Sequence, residues 1–320
     1  MILTYILFFI GFLFLIKGAD LLVDGASSVA KKFGISALVI GLTIVAFGTS
    51  MPELIVNIFA SIQGNTDIAI GNILGSNTAN ILLILGISSL IYPLAVKKGT
   101  TWKEIPFSFL AVIVLAIMAN DMFFDKANYS AITRIDGFIL LSFFVIFMYY
   151  IFGISKTSAN ETQEQEPKIY SSLKSTLMII LGLIGLTLGG KWIVDGAVAF
   201  ASSFGVSQAL IGLTIVAVGT SLPELATSAV AAYKKNVDIA VGNVVGSNIF
   251  NIFWILGVSA IIKPLPFSNT LMIDVFMTVF ATTILFAFLF IGKKHILERW
   301  QGVCFIVFYI IYIIYLIFRG

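Results

Sequence analysis

The sequence predicts an all-α membrane protein with ten transmembrane helices in two inverted five-helix repeats. Three observations lead there. Of 320 residues, 59% are hydrophobic and 11% charged, with a mean hydropathy of +1.06, whereas a soluble domain carries about 25% charged residues. The apolar residues run in long blocks, such as Ile2 to Ile16, Gly137 to Ile154, Val275 to Ile291 and Val303 to Phe318. Residues 18–93 also align without a gap on residues 189–264, a shift of 171 positions, with 40 of 76 identical. That period is far longer than the roughly 20 to 50 residues of a solenoid unit, so half the protein is written twice.

Each block reaches the ~20 residues a spanning helix needs once flanking small and weakly polar residues are counted. In the first repeat, 1–154, spans fall near 2–30, 36–63, 67–92, 104–123 and 135–154. The opening "MILTYILFFIGFLFLIKGAD" has no basic leader and no cleavage site after its apolar run, so it reads as the first span. The stretch 155–172, "SKTSANETQEQEPKIYSS", is polar and acidic and reads as a solvated linker. In the second repeat, 173–320, spans fall near 173–203, 207–233, 238–263, 271–291 and 298–318. Strand-type alternation is absent, which argues against a β-barrel.

Five spans per repeat make the second copy enter from the opposite side, and the lysines and arginines test this. With both termini outside, 13 of the 19 lie in cytoplasmic loops and only Lys126, Arg134, Lys263 and Arg319 outside; Lys17 and Lys191 lie within spans. This is a positive-inside bias. It predicts a multi-pass protein of the cell membrane with a cytoplasmic linker, on the inverted-repeat plan of many secondary transporters.

The repeated motifs carry the chemistry. The second span holds "GTSMPE" at 48–53 and the seventh "GTSLPE" at 219–224; the third and eighth hold "GNILGSNTAN" at 71–80 and "GNVVGSNIFN" at 242–251. On a helix Thr49, Ser50 and Glu53 share a face, as do Ser76 and Asn80; Thr220, Ser221, Glu224, Ser247 and Asn251 repeat the pattern. Pro52 cannot donate to the carbonyl four residues back and breaks the helix, so carbonyls from Ala46 to Thr49 are expected to lose partners. In hydrocarbon such groups are tolerated only where they face a cavity or ligand. A charged side chain at mid-membrane costs on the order of 3 kcal/mol, yet the glutamate occurs in both copies. Carboxylates, hydroxyls, amide oxygens and carbonyls form an all-oxygen set, which suits a hard cation such as Ca²⁺. His295 and Cys304 are single, so nothing suits a soft metal.

Plainer roles compete for several of these residues. The glutamates could pair with Lys17 or Lys191, although those lysines are not related by the repeat. Gly71 and Gly75, with Gly242 and Gly246, read as sites of close helix approach. Asn72 and Asn243 either bond between helices or line the site. Asp24 and Asp195 are expected near the surface, and Asp67 and Asp238 as N-caps.

Two ionised glutamates give a site of charge about −2, which one Ca²⁺ or several Na⁺ can balance. An empty site of that charge resists occlusion, so ions leave only as ions enter, which is antiport. An enzyme is excluded by duplicated, near-equivalent sites with no suitable His or Cys, and the dispersed net charge of +3 does not suggest nucleic acid. Neither a cofactor nor a protein partner is predicted; the chain's partners are the transported ions and the lipid bilayer.

Through these paired motifs the chain resembles the cation/Ca²⁺ exchanger superfamily, specifically its sodium/calcium exchanger branch of prokaryotic type with two α-repeats. The resemblance implies a Ca²⁺ site made by the Glu53 and Glu224 side chains with the Thr49 and Thr220 carbonyls. It implies Na⁺ sites drawing on Ser50, Ser76, Ser221, Ser247 and the carbonyls of Ala46 and Ala217, with Asn80 and Asn251 lining the middle. It also implies that the first and sixth helices slide as a unit to alternate access. Potassium-coupled relatives carry aspartate where this chain has Asn251, which points to potassium-independent exchange. Proton-coupled relatives show G-N-x-x-E, whereas positions 75 and 246 here are glycine, which favours sodium. The alternatives are an antiporter of H⁺ and Ca²⁺ or another divalent cation, and a Ca²⁺ channel.

Overall fold

The computed structural model describes residues 2–124, 126, 128–155, 168–204 and 217–319. Most of the predicted linker (156–167) and the start of the predicted seventh span (205–216) lie outside the described residues. In chain order the main helices are α1 (Ile2–Phe33), α2 (Ala37–Thr49), α3 (Met51–Gln63), α4 (Thr66–Ile91), α5 (Lys98–Met118) and α6 (Arg134–Ser155). They continue with α7 (Ser172–Ser203), α8 (Ala217–Thr220), α9 (Leu222–Tyr233), α10 (Val237–Ile262), α11 (Met272–Phe288) and α12 (Arg299–Arg319).

Among the described residues, seven helices are long and apolar enough to cross a membrane, and α2 with α3, bent by 46°, makes an eighth. Helix α11 has 17 residues, about 26 Å at 1.5 Å per residue. Of the seventh span, only α8 and α9 are described.

The packing inverts that of a soluble domain. Large apolar side chains such as Phe9, Ile139, Ile146, Val307 and Ile314 are exposed on the perimeter, while Asn57, Asn77, Ser76, Thr78, Asn243, Ser247 and Thr278 are buried. A hydrocarbon surround makes no demand for polar surface, so polar groups gather where they can bond to one another. Helices α4 and α10 form the centre, with 72% and 78% of their apolar stretches buried, against 22% for α6 and 33% for α12.

Helices α1 and α7 pack backbone to backbone along a glycine seam. A Cβ added at Gly11, Gly18 or Gly25 would lie 2.9, 2.8 or 2.9 Å from the carbonyl oxygen of Gly189, Gly182 or Ser175. Partner numbers fall as those of α1 rise, so the first helices of the two repeats run antiparallel. Small residues permit this approach, and dispersion then holds the pair.

Two short ladders tie the repeats together at their loops. Strand β1 (Leu94–Ala95) pairs antiparallel with β4 (Ile296–Leu297), and β2 (Ala131–Ile132) with β3 (Leu265–Pro266). The repeat maps 94–95 onto 265–266, so the same contact is made twice with the halves exchanged, as a two-fold axis requires.

Some expectations need correction. The fourth span, expected at 104–123, is Lys98–Met118; beyond Ala119, Asn120 folds back to donate to the Ala116 carbonyl at 2.6 Å. The N-caps of α4 and α10 are Asn65 and Asn236 rather than Asp67 and Asp238, which sit in the first turns. Asn236 reaches the Ile239 amide at 3.4 Å, while acidic groups in a first turn meet the positive end of the helix. Of the predicted glycine contacts, Gly242 and Gly246 press on Leu38, Leu42 and Ala46; the repeat-related neighbours of Gly71 and Gly75 fall largely outside the described residues.

The seam makes a direct prediction. Gly18→Val should lower the thermal stability of the purified protein by about 1–3 kcal/mol, because the added methyls meet backbone that cannot yield. Gly153→Ala, where a Cβ meets nothing within 4 Å, should stay within about 0.5 kcal/mol of the parent.

Candidate functional site

The site begins with two helix breaks. Ser50 (φ −82°, ψ 8°) ends α2 and starts α3, and Ser221 (φ −87°, ψ 6°) ends α8 and starts α9. Pro52 and Pro223 fall in the first turn of the new helices, where the missing N–H leaves no gap in the following helix. Glu53 and Glu224 lie in the same first turns. Each carboxylate therefore sits at the positive end of a helix dipole, equivalent to roughly half an elementary charge. The Ala46 carbonyl, expected from the proline to be bare, accepts from the Ser50 amide at 3.0 Å; Thr49 Oγ1 lies 3.3 Å from it but gives its single proton to the closer Asn243, which leaves the carbonyl one free lone pair. A helix that restarts one residue later still closes its preceding turn. The Ala217 backbone opens α8.

Both glutamates are 1% exposed and are held by hydroxyls from both repeats. Glu53 Oε1 accepts from Ser76 Oγ of its own half and Ser221 Oγ of the other, each at 3.3 Å. Glu224 Oε1 accepts from Ser247 Oγ at 3.5 Å and, across the repeats, from Ser50 Oγ at 3.0 Å. Ser221 Oγ also lies 3.1 Å from Ser76 Oγ. The contacts of Glu53 Oε1 with Ser221 Oγ and of Glu224 Oε1 with Ser50 Oγ join each carboxylate to the helix break that carries the other. The remaining oxygens, Glu53 Oε2 and Glu224 Oε2, are buried and have no hydrogen-bond partner.

The threonine hydroxyls perform a separate task. Thr49 Oγ1 donates to Asn243 Oδ1 at 3.0 Å and Thr220 Oγ1 to Asn72 Oδ1 at 3.2 Å. Asn72 and Asn243 are thus inter-repeat struts. Here the halves differ: Asn243 Nδ2 donates to the Glu224 carbonyl at 3.3 Å and to Ser228 Oγ at 3.0 Å. In the first half Asn57 replaces that serine and itself donates to the Glu53 carbonyl at 3.0 Å.

Just beyond Ser76 and Ser247, α4 and α10 bring four asparagines together. Asn80 Nδ2 donates to Asn248 Oδ1 and Asn251 Nδ2 to Asn77 Oδ1, both at 2.9 Å. Asn80 opens a π-helical stretch, Asn80–Leu85, matched by Phe250–Leu256. Such a bulge shifts the helix register locally and is frequent at functional sites. Asn80 Oδ1 and Asn251 Oδ1 are buried without hydrogen-bond partners.

The fold therefore brings Thr49, Ser50, Glu53, Ser76 and Asn80 together with Thr220, Ser221, Glu224, Ser247 and Asn251. The predicted lysine partners stay outside. Lys17 is exposed, and Lys191 pairs with Asp195 on its own helix at 2.9 Å. Asp24 lies near the surface and meets Lys234 at 2.7 Å. Sequence reasoning missed Asn77, Asn248, Asn57 and Ser228. The first two could have been found from their helical spacing, three residues before a candidate ligand on the same face. Four buried oxygens with free lone pairs, two of them carboxylate, form a lining that can accept only a proton donor or a cation.

Comparison with known proteins shows the family. The sequence profile of the family "Sodium/calcium exchanger protein" matches residues 3–153 and 174–318. The sodium/calcium exchanger MaX1 of Methanosarcina acetivorans is 32% identical over 345 residues, covering 96% of each chain. The inner membrane protein YrbG of Escherichia coli is 37% identical over 272 residues, covering 82% of this chain and 81% of its own. A solved structure of the sodium-calcium exchanger NCX_Mj is similar with a TM-score of 0.83 at 36% identity, covering 98% of both chains.

The struts can be tested by melting. Thr49→Val strands the Asn243 oxygen in the interior and should destabilise the purified protein by about 1–3 kcal/mol. Thr49→Ser, which keeps the hydroxyl, should lose less than about 1 kcal/mol.

Proposed function

We propose that this chain, which belongs to the sodium/calcium exchanger protein family, exchanges Na⁺ for Ca²⁺ by alternating access without K⁺. At the coarser level it is a multi-pass membrane transporter, a cation/Ca²⁺ antiporter of the exchanger type. One observation carries the finer reading: two fully buried carboxylates, one from each repeat, are cross-held by serines of the opposite repeat and keep one oxygen each unpaired.

Ca²⁺ takes six to eight oxygens in flexible geometry. Glu53 and Glu224 supply its charge balance, and the Thr49 and Thr220 carbonyls complete its shell. Their side-chain hydroxyls donate to Asn243 and Asn72. Na⁺ binds on either side through Ser50, Ser76, Ser221 and Ser247 with the Ala46 and Ala217 carbonyls, and the Asn80 and Asn251 oxygens line the middle. No resident cofactor enters. One divalent ion and a set of monovalent ions neutralise the same pair of carboxylates, so occupancy by one excludes the other. The serines that reach across the repeats give each half a stake in the other's carboxylate, which couples closure of the site to its filling.

The topology follows the sequence reading: ten spans in two inverted halves, 1–154 and 173–320, with both termini outside and the 155–172 linker cytoplasmic in the cell membrane. Contacts at the loops fit these sides. Strands β1 and β4, which pair, belong to loops read as cytoplasmic, and Lys97, in the loop of β1, bonds at 2.7 Å to Asp238 in the first turn of α10. Strands β2 and β3, also paired, belong to outer loops. The glycine seam fuses α1 and α7 into one body that slides past the rest to open each side in turn.

Reconstituted liposomes test the ion pair. Calcium uptake should rise with an outward Na⁺ gradient and stay at background under K⁺ or H⁺ gradients alone. Uptake driven by the H⁺ gradient in sodium-free buffer would assign proton coupling, and flux with no counter-ion would assign a channel. Glu53→Gln and Glu224→Gln should each reduce sodium-driven uptake to background; retained flux in either removes that residue from the site.

A further inference from the structure

We infer that Asn77 and Asn248 are positioning residues that fix which atom of Asn251 and Asn80 faces the ion path. The inference rests on the reading of Asn80 and Asn251 as lining oxygens. A primary amide has an acceptor oxygen and a donor nitrogen of nearly equal shape. Turned one way it attracts a cation, and turned the other way it presents N–H groups and repels it. Shape alone leaves that choice open, so something else must set it.

The setting reference is the backbone. Asn248 Nδ2 donates to the Asn77 carbonyl at 3.4 Å. A carbonyl oxygen only accepts, so the Asn248 amide has one orientation, and its Oδ1 is the atom turned to Asn80. An oxygen only accepts in turn, so Asn80 must offer Nδ2, and does so at 2.9 Å. Its own Oδ1 is then the atom left facing inward, buried and unpaired. The second half runs the same chain of logic: Asn77 Nδ2 donates to the Asn248 carbonyl at 3.2 Å, Asn251 Nδ2 donates to Asn77 Oδ1 at 2.9 Å, and Asn251 Oδ1 is left unpaired. All four residues are at most 2% exposed, so water cannot substitute for a missing partner.

Each repeat thus orients the lining amide of the other. Reversing Asn80 would set its oxygen against that of Asn248 and give up a buried hydrogen bond, and Asn77 enforces the same on Asn251. A pair of backbone carbonyls at the crossing of α4 and α10 decides the polarity of both lining groups.

The test is a double-mutant cycle in liposomes. Apparent KM values for Ca²⁺ and Na⁺ and the maximal rate are compared among the parent, Asn77→Ala, Asn251→Ala and the double variant, with thermal melting on each. Asn77→Ala should raise a cation KM about fivefold, the loss of one net hydrogen bond, and Asn251→Ala at least as much. The double variant should match Asn251→Ala alone, because with no amide at 251 there is nothing left to orient. If Asn77→Ala raises KM by the same factor with or without Asn251, or lowers only stability and maximal rate, the residue is structural and the proposal falls. An unchanged KM in Asn251→Ala would instead sink the lining reading beneath it. Asn248→Ala on the parent and Asn80→Ala backgrounds is the independent copy of the test, and it decides if Asn77→Ala is not recovered folded.

Discussion

Two carboxyl groups, one from each repeat, buried among apolar helices are the constraint to which the rest of this fold answers. Each is out of reach of water, and an ionised group inside a membrane is unfavourable by on the order of 3 kcal/mol before repulsion from a twin is counted. Among the described residues the fold meets this without a basic residue at either carboxylate. It breaks two helices so that each glutamate stands at a helix start, where the dipole and free amides favour negative charge. It then brings in neutral hydroxyl donors from both repeats. A lysine would pair with a carboxylate permanently; dipoles and hydroxyls leave one oxygen of each without a partner.

The duplication is what supplies two equivalent groups, each bonded by a serine of the other half. A two-fold relation makes every cross-contact occur twice: Ser50 with Glu224 and Ser221 with Glu53, Thr49 with Asn243 and Thr220 with Asn72, β1 with β4 and β3 with β2. The departures from symmetry matter as much. Asn57 stands where the second half has Ser228, so the Glu53 and Glu224 carbonyls are held by different elements. Lys234 bridges to Asp20 and Asp24 at 2.5 and 2.7 Å, while its counterpart in the repeat is Gln63. The two halves therefore differ in how firmly their ends are tied.

Much of this was legible in the sequence, and the reasons are physical. A proline next to a glutamate inside an apolar run has few explanations other than a broken helix around a charge, and the repeat showed that it happens twice. The spans were legible because hydrocarbon demands length. The failures share another cause: they depend on atoms from distant segments or on small departures from helical register. No periodicity announces a π-helical stretch at Asn80, and Asn77 went unread because its partner lies 171 residues away. Asp67 looked like a cap until Asn65, two residues earlier, took that place. The Ala46 carbonyl was expected to be bare, yet the resumed helix at Ser50 supplied its donor.

The central claim is that the two glutamates form one shared site and not two independent ones. Equilibrium binding of radioactive calcium to purified protein in sodium-free buffer tests it most directly, with the parent compared with Glu53→Gln and Glu224→Gln after each is shown to melt as a folded protein. The account predicts one calcium ion per chain in the parent and loss of binding in both single variants. A variant that still binds calcium with the parent's affinity, or a parent that binds two equivalent ions of which one survives each substitution, would contradict it.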